Sequence, residues 1–242
     1  MRKRSVVLVC VVAMVALGAW LMPASAGSNS YKVTKLVSDQ ANKAAHQDPN
    51  LVNAWGLVAG PSTPWWVANN HSNTSTLYDG TGTKIPLTVT VNVAPTGAVF
   101  NGGTGFQVSH KGASGPSVFL FDTESGVIRG WNPNVGPMPA PSTKAFLVVD
   151  MRSDNAIFKG LAIASTANHG DRLYATDFHN GKVDMFDEQF NPVDIKGAFQ
   201  DPNIPKGYAP FGIQTLGHHI FVTYAKQDAN ACLLYTSPSP RD

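Results

Sequence analysis

Apolar residues along this chain fall into short runs of four to eight, rich in Val, Ile, Phe and Tyr, each closed by Gly, Asn, Asp or Pro. That punctuation predicts strands: β-branched and aromatic side chains fit a pleated surface, and the bounding residues supply turns. No convincing amphipathic helix follows residue 26. The best helical stretch, "DQANKAAHQDPN" (39–50), is stopped by Pro49.

The runs recur. Four segments place a glycine before an apolar run: "WGLVAG" from Trp55, "GFQVSH" from Gly105, "KGLAIAS" from Lys159 and "FGIQTLG" from Phe211. Their glycines, Gly56, Gly105, Gly160 and Gly212, are 49, 55 and 52 positions apart. Second runs follow as "WWVAN", "SVFLFD", "RLYATD" and "HIFVTY", third runs as "TLYDG", "VIRGWNP" and "VDMFDEQF", fourth runs as "KIPLTVTVNV" and "TKAFLVVDM". Four strands in roughly 50 residues is the period of a propeller blade. The expected fold class is all-β, a β-propeller, with three blades and part of a fourth.

The repeat is also visible residue by residue. Shifted by 108 positions, Asp187 falls on Asp79, His179 on His71 and Asp177 on Asn69. Blade two runs in the same register, with Asp122 matching Asp177 and Gly126 matching Gly181. Asp177 is expected to bond the turn backbone, and Asn180-Gly181 to supply the positive-φ positions of a tight hairpin.

"LYATDFHNGKVDMFD" resembles the core of NHL-type repeats, which build six-bladed propellers. The run from "LVSDQANKAAHQDPN" to "STLYDGTG", and "GYAPFGIQTLGHHIFVTYAKQD" further on, are similar to a family of secreted, functionally uncharacterised propeller proteins. The resemblance spans about Tyr31 to Asn230. It implies an NHL/TolB-like six-bladed fold, export, and in some members a C-terminal sorting or anchoring tail. It brings no activity with it.

The ends carry separate messages. "MRKR", an apolar stretch and Ala24-Ser25-Ala26 predict a signal peptide over 1–26. The closing "ACLLYTSPSPRD" has no pattern continuous with the rest, so 231–242 is expected to be a non-native tail and 27–230 the partial propeller domain. Setting aside Arg2, Lys3, Arg4, Arg241 and Asp242 leaves 14 basic against 15 acidic residues, a charge of about −1. Such a surface offers no attraction for nucleic acid or anionic lipid. Cys10 and Cys232 both lie in the end segments, so the exported domain depends on its apolar core. Location is expected to be extracellular or periplasmic, with no membrane span after signal cleavage and a monomer at full length.

Chemical candidates follow from where a propeller puts its residues. The innermost strands begin around the axis, and those beginnings read Asn53-Ala54-Trp55, Gly103-Thr104, Phe158-Lys159 and Pro210-Phe211. Asn53, Trp55, Lys159 and Phe211 combine aromatic faces with hydrogen-bonding groups, a lining for a small molecule, glycan or protein segment. The competing reading for Trp55 and Phe211 is packing between blades. Asn69, His71, Asp122, Glu124, Asp177 and His179 have metal-ligand chemistry, but equivalent turns spread around a ring instead of converging. No cofactor is expected. The function expected is a recognition module. The alternatives are a lactonase- or lyase-like metal enzyme whose key residues lie in further blades, and a structural cell-surface role. Two N-x-[ST] patterns, Asn70 with Ser72 and Asn73 with Ser75, gain meaning in a host that glycosylates exported proteins.

Overall fold

A computed structural model describes residues 30–166 and 169–231, so the expected signal peptide and nearly all of the expected tail lie outside the described residues. Residues 30–34 belong to a separate unit and are exposed, irregular chain; the unit described below begins at Lys35. It opens with two short parallel strands, β1 (Val37–Ser38) and β2 (His46–Gln47). The stretch 39–50 is therefore turns and a strand, not a helix. Among the described residues the one helical element is a single 3-10 turn, Arg152–Asp154.

Blade one is the antiparallel sheet β3 (Ala54–Val58), β4 (Trp65–Asn69), β5 (Thr74–Tyr78) and β6 (Lys84–Thr90), paired in chain order. Asp48 anchors the chain before it: its carboxylate takes the Tyr78 hydroxyl at 2.6 Å and the Lys84 ammonium at 2.9 Å. Blade two begins at β7 (Pro95–Phe100), leaves the sheet for a hairpin of β8 (Gln107–His110) and β9 (Ala113–Pro116), and returns as β10 (Phe119–Thr123), β11 (Val127–Trp131) and β12 (Phe146–Asp150). Blade three has β13 (Phe158–Thr166), β14 (Gly170–Asp177) and β15 (Lys182–Phe186), with only a Phe186–Pro192 bridge where a fourth strand would pair. Blade four has β16 (Tyr208–Leu216) and β17 (His219–Lys226). The innermost strands β3, β7, β13 and β16 are neighbours in that order. The fold is a β-propeller.

The second innermost strand differs from expectation. It is Pro95–Phe100, not the run after Gly105, so its glycine is Gly97 and its beginning is Pro95-Thr96, not Gly103-Thr104. The sequence hides this because "NVAPTGAVF" reads as a continuation of the preceding strand. The chain instead reverses through Asn92, Val93 and Ala94, all left-handed at φ 63, 52 and 49. That conformation is uncommon for a β-branched residue, so no residue type announces it. Gly105 leads into the inserted hairpin, where Phe106 is fully buried against Phe190.

Three of the four inner glycines, Gly56, Gly97 and Gly160, share one physical cause, the close approach of the next blade. Each inner strand bulges at its glycine, between Ala54 and Leu57, Phe158 and Leu161, Pro210 and Ile213, and opposite Phe121 to Thr123 in blade two. A Cβ on Gly97 would lie 2.3 Å from the Leu161 nitrogen of blade three, and one on Gly56 would lie 2.6 Å from the Thr96 oxygen of blade two. Missing side chains let neighbouring backbones meet near the axis.

Hydrophobic cores lie between blades. Trp66, Leu77 and Val89 of blade one pack against Phe119, Phe121 and Trp131 of blade two. Leu120, Ile128 and Val149 pack on the other side, against Phe158, Leu161, Leu173 and Phe186 of blade three. Ala162, Tyr174 and Met185 meet Ile213 and Ile220 of blade four. Successive residues of a strand point to opposite faces, so a blade between two others is buried on both.

Candidate functional site

The inner strands border an open cavity of about 810 Å³, lined along β3, β7, β13 and β16. Of the residues expected at its mouth, Trp55, Lys159 and Phe211 line the cavity; Asn53 stands beside Trp55, and Asn53, Trp55 and Lys159 join a closed ring. The Trp55 indole N–H donates to Asn53 Oδ1 at 3.1 Å, and Asn53 Nδ2 donates to Asn70 Oδ1 at 3.1 Å. Asn70 Nδ2 donates to Glu124 Oε2 at 3.1 Å, and Glu124 Oε1 accepts from the Lys159 ammonium. The ammonium stands 5.4 Å from the Trp55 ring centroid, closing the ring, and 5.8 Å from that of Phe178. Phe211 packs against both Trp55 and Phe178, with centroids 5.6 Å apart in each case.

Local structure sets these positions. Asn53 turns the chain into β3 from a left-handed conformation, φ 54, which Asn tolerates better than most residues. Lys159 sits within the β13 bulge, and its side chain is only 2% exposed. A buried ammonium needs a compensating charge and hydrogen bonds. Glu124, 27% exposed, supplies the charge, and the aromatic faces of Trp55 and Phe178 add cation–π attraction. Trp55 and Phe211 therefore meet each other across blades one and four, and do not simply fill space between consecutive blades. Glu124 also lines a second cavity of about 360 Å³ with Arg152, Asn155, Ile157 and His179.

The turn residues have separate roles. Asn69 Nδ2 donates to Thr74 and Thr76 within blade one. Asp177 accepts from the Ile157 and Asn180 backbone N–H groups, each at 3.2 Å, and so ties the β14–β15 turn to the start of β13. This is the turn-bonding role expected of it. Gly181 and Gly126 are left-handed, at φ 67 and 73, and Asn73 takes the same place in blade one at φ 57. Asn180 is not left-handed, so Gly181 alone supplies the positive φ. His71 is exposed on its turn, and His179 Nδ1 is buried without a partner. Among the described residues no three His, Cys, Asp or Glu side chains gather closely enough to hold a metal ion.

Asp122 departs from its expected register. The blade-two turn, Glu124–Gly126, is one residue shorter than Asn70–Asn73 and Phe178–Gly181, so Thr123, not Asp122, takes the place of Asn69 and Asp177. Asp122 falls instead in line with Thr176 and Thr223, and all three bond the inner-strand bulge. Asp122 Oδ1 accepts from Gly97 N at 2.5 Å and Thr96 Oγ1 at 2.8 Å. Thr176 donates to Gly160 O at 3.2 Å, and Thr223 accepts from Gly212 N at 3.0 Å. Complete burial pushes the Asp122 carboxyl up to about 6, against the pull of those bonds.

Three mouth residues were not expected there: Asn70, Glu124 and Phe178. In the register expected from sequence Glu124 falls with His71 and His179, set out along a blade; in the structure it opens its turn as Asn70 and Phe178 open theirs. The shorter turn and the reach of a Glu side chain bring its carboxylate to Lys159. The available signal is a lysine in an apolar strand with no acid within three residues on either side: Lys159 needs a carboxylate from elsewhere in the fold.

No family model matches the chain. Two uncharacterized proteins of Acanthamoeba polyphaga mimivirus are similar to it. One is 34% identical over 216 residues, covering 84% of this chain and 51% of the relative. The other is 33% identical over 218 residues, covering 84% and 54%. The chain thus spans about half the length of the curated relatives it matches. Among solved structures, a catalytically inactive virginiamycin B lyase from Staphylococcus aureus with quinupristin aligns with TM-score 0.47 and 11% identity, over 76% of this chain and 55% of that one. A glutaminyl cyclase from Myxococcus xanthus aligns with TM-score 0.39 and 14% identity, over 71% and 67%.

Proposed function

We propose that the chain is part of an exported, six-bladed propeller that acts as a recognition module, binding a ligand at the channel mouth. The observation that carries this reading is the closed ring from Trp55 through Asn53, Asn70, Glu124 and Lys159. Side chains from three blades hold one another in place, so the half-buried faces of Trp55 and Phe211 are positioned before any ligand arrives. Preorganisation of this kind lowers the entropic cost of binding. Glu124 and Lys159 compensate each other's charge, which favours an uncharged ligand with an apolar side, such as a sugar or a peptide segment.

The same pairing weighs against acid–base chemistry at this mouth. A general acid or base must reach a substrate proton, and here the carboxylate and the ammonium are turned toward each other. A lactonase- or lyase-like enzyme would have to draw its reacting groups from blades beyond this chain.

An oligosaccharide array probed with the protein, followed by titration of each hit, tests the recognition reading. Trp55→Ala and Phe211→Ala are expected to weaken a hit at least tenfold, roughly 1.4 kcal/mol. Hits that survive both substitutions, or an array with none for the native protein, would sink it.

A further inference from the structure

Two consecutive N-x-[ST] patterns begin on the β4–β5 turn, Asn70-His71-Ser72 and Asn73-Thr74-Ser75. Sequence alone ranks them equally. Their surroundings do not. Asn70 is 4% exposed, and both ends of its amide are taken: Oδ1 accepts from Asn53 and Nδ2 donates to Glu124. A sugar on Asn70 Nδ2 would collide with the mouth ring and remove the bond to Glu124. Asn73, three residues on, closes the same turn in an exposed, left-handed conformation. Its Oδ1 accepts from Ala94 N at 2.6 Å, and its backbone oxygen accepts from Val91 N and Asn92 N. Nδ2 is left over, with no hydrogen-bond partner among the described residues.

We infer that Asn73, and not Asn70, is an N-glycan acceptor of the folded protein. In the transfer, a bond forms between Asn73 Nδ2 and the anomeric carbon of an oligosaccharide carried on a lipid pyrophosphate. The bond from that carbon to the phosphate oxygen breaks, the lipid pyrophosphate leaves, and the amide nitrogen loses one proton. Oδ1 is untouched and keeps its bond to Ala94 N, so the turn accepts the modification without rebuilding.

Timing follows from the third residue of the pattern. Ser75 is fully buried in β5, between β4 and β6. The acceptor segment is therefore readable only before blade one has assembled, during or just after synthesis. Either asparagine is open to transfer at that stage, and folding then separates them. A chain with sugar on Asn73 closes its turn, whereas a chain with sugar on Asn70 cannot form the mouth.

The inference rests on the export reading, because the transferring enzymes work on chains entering the secretory route. The test expresses the full chain in a eukaryotic secretory host, once with its own first 26 residues and once with a foreign leader in their place. Glycosidase treatment and glycopeptide mass mapping are applied to the soluble product. If the chain stays in the cells, the protease-resistant intracellular pool is mapped in the same way. With the foreign leader, one glycan on Asn73 is expected, and Asn73→Gln should abolish the glycosidase shift. A glycan on Asn70 in that folded pool, or a bare Asn73, overturns the assignment. Glycosylation behind the foreign leader but not behind the native one would count against export and leave the Asn73 assignment standing.

Discussion

β10 of blade two and β17 of blade four hold the same place in their blades, second from the axis, and meet opposite fates. All five residues of β10 are buried. From His219 to Tyr224 in β17, exposed and half-buried positions alternate, and no residue of the strand is fully buried. Phe121 is fully buried while Phe221 is 55% exposed. Strand chemistry does not account for this, since "FLFDT" and "HIFVTYAK" are both strongly apolar. Neighbours do. Phe119 and Phe121 face blade one while Leu120 faces blade three, whereas among the described residues only the Ile220 face of β17 meets a neighbouring core. Blade one shows the mirror situation, with Trp66 buried against blade two and Trp65 46% exposed on the other side. In a propeller, burial is a property of the stack.

The sharpest way to break this comparison is to empty both positions. Phe121→Ala removes a ring packed near Trp66 and leaves a cavity among rigid neighbours. It is expected to cost about 3–5 kcal/mol. Phe221→Ala removes an exposed ring and is expected to stay within about 0.5 kcal/mol. Urea denaturation of the two variants measures the difference. Equal losses would mean that the Phe221 face is covered in solution.

How much of this was readable beforehand follows the same logic. Strand type, blade period and the turns after Asn69 and Asp177 were legible because each depends on nearby residues. Three of the four inner glycines were found for the same reason. Gly97 is not legible in the sequence, because the reversal before it uses Asn92, Val93 and Ala94 instead of Gly or Pro. Asn53, Trp55, Lys159 and Phe211 were placed at the mouth because the ends of inner strands converge in any propeller. Glu124 was not, because its arrival depends on a turn one residue shorter than its counterparts, and the repeat register conceals one-residue differences.

A second test uses the residue that bridges each bulge. Blade two has Asp122 there, fully buried, and blade four has Thr223, exposed. Burial raises the Asp122 carboxyl to about 6, against about 4 in an unfolded chain. Between those values the folded state holds a proton that the unfolded state has released, so unfolding releases protons and stability falls as pH rises. The contribution is complete below about pH 4 and gone above about pH 6, on the order of 2–3 kcal/mol in all. Asp122→Asn should flatten that part of the stability profile, while Thr223→Val should leave its slope unchanged. A native profile that falls from pH 4 to 6, and still falls as steeply in Asp122→Asn, would show that Asp122 is not the titrating group.

The smallest expected difference concerns the bulge glycines themselves. A Cβ on Gly97 would meet the Leu161 backbone nitrogen at 2.3 Å and Asp122 Oδ1 at 2.8 Å. Backbone in the next blade cannot rotate away, so Gly97→Ala must push blades two and three apart. The expected cost is about 1–3 kcal/mol, in the range of core overpacking. At Gly212 the one close atom is the Thr223 hydroxyl at 2.8 Å, on an exposed side chain. Losing that hydroxyl's bond to Gly212 N at 3.0 Å should cost under about 1 kcal/mol. Thermal melts of Gly97→Ala and Gly212→Ala, each beside native protein, measure the gap. If the two variants melt together, the inner glycines answer to bulge geometry within each blade, and the close approach of blade to blade is not what requires them.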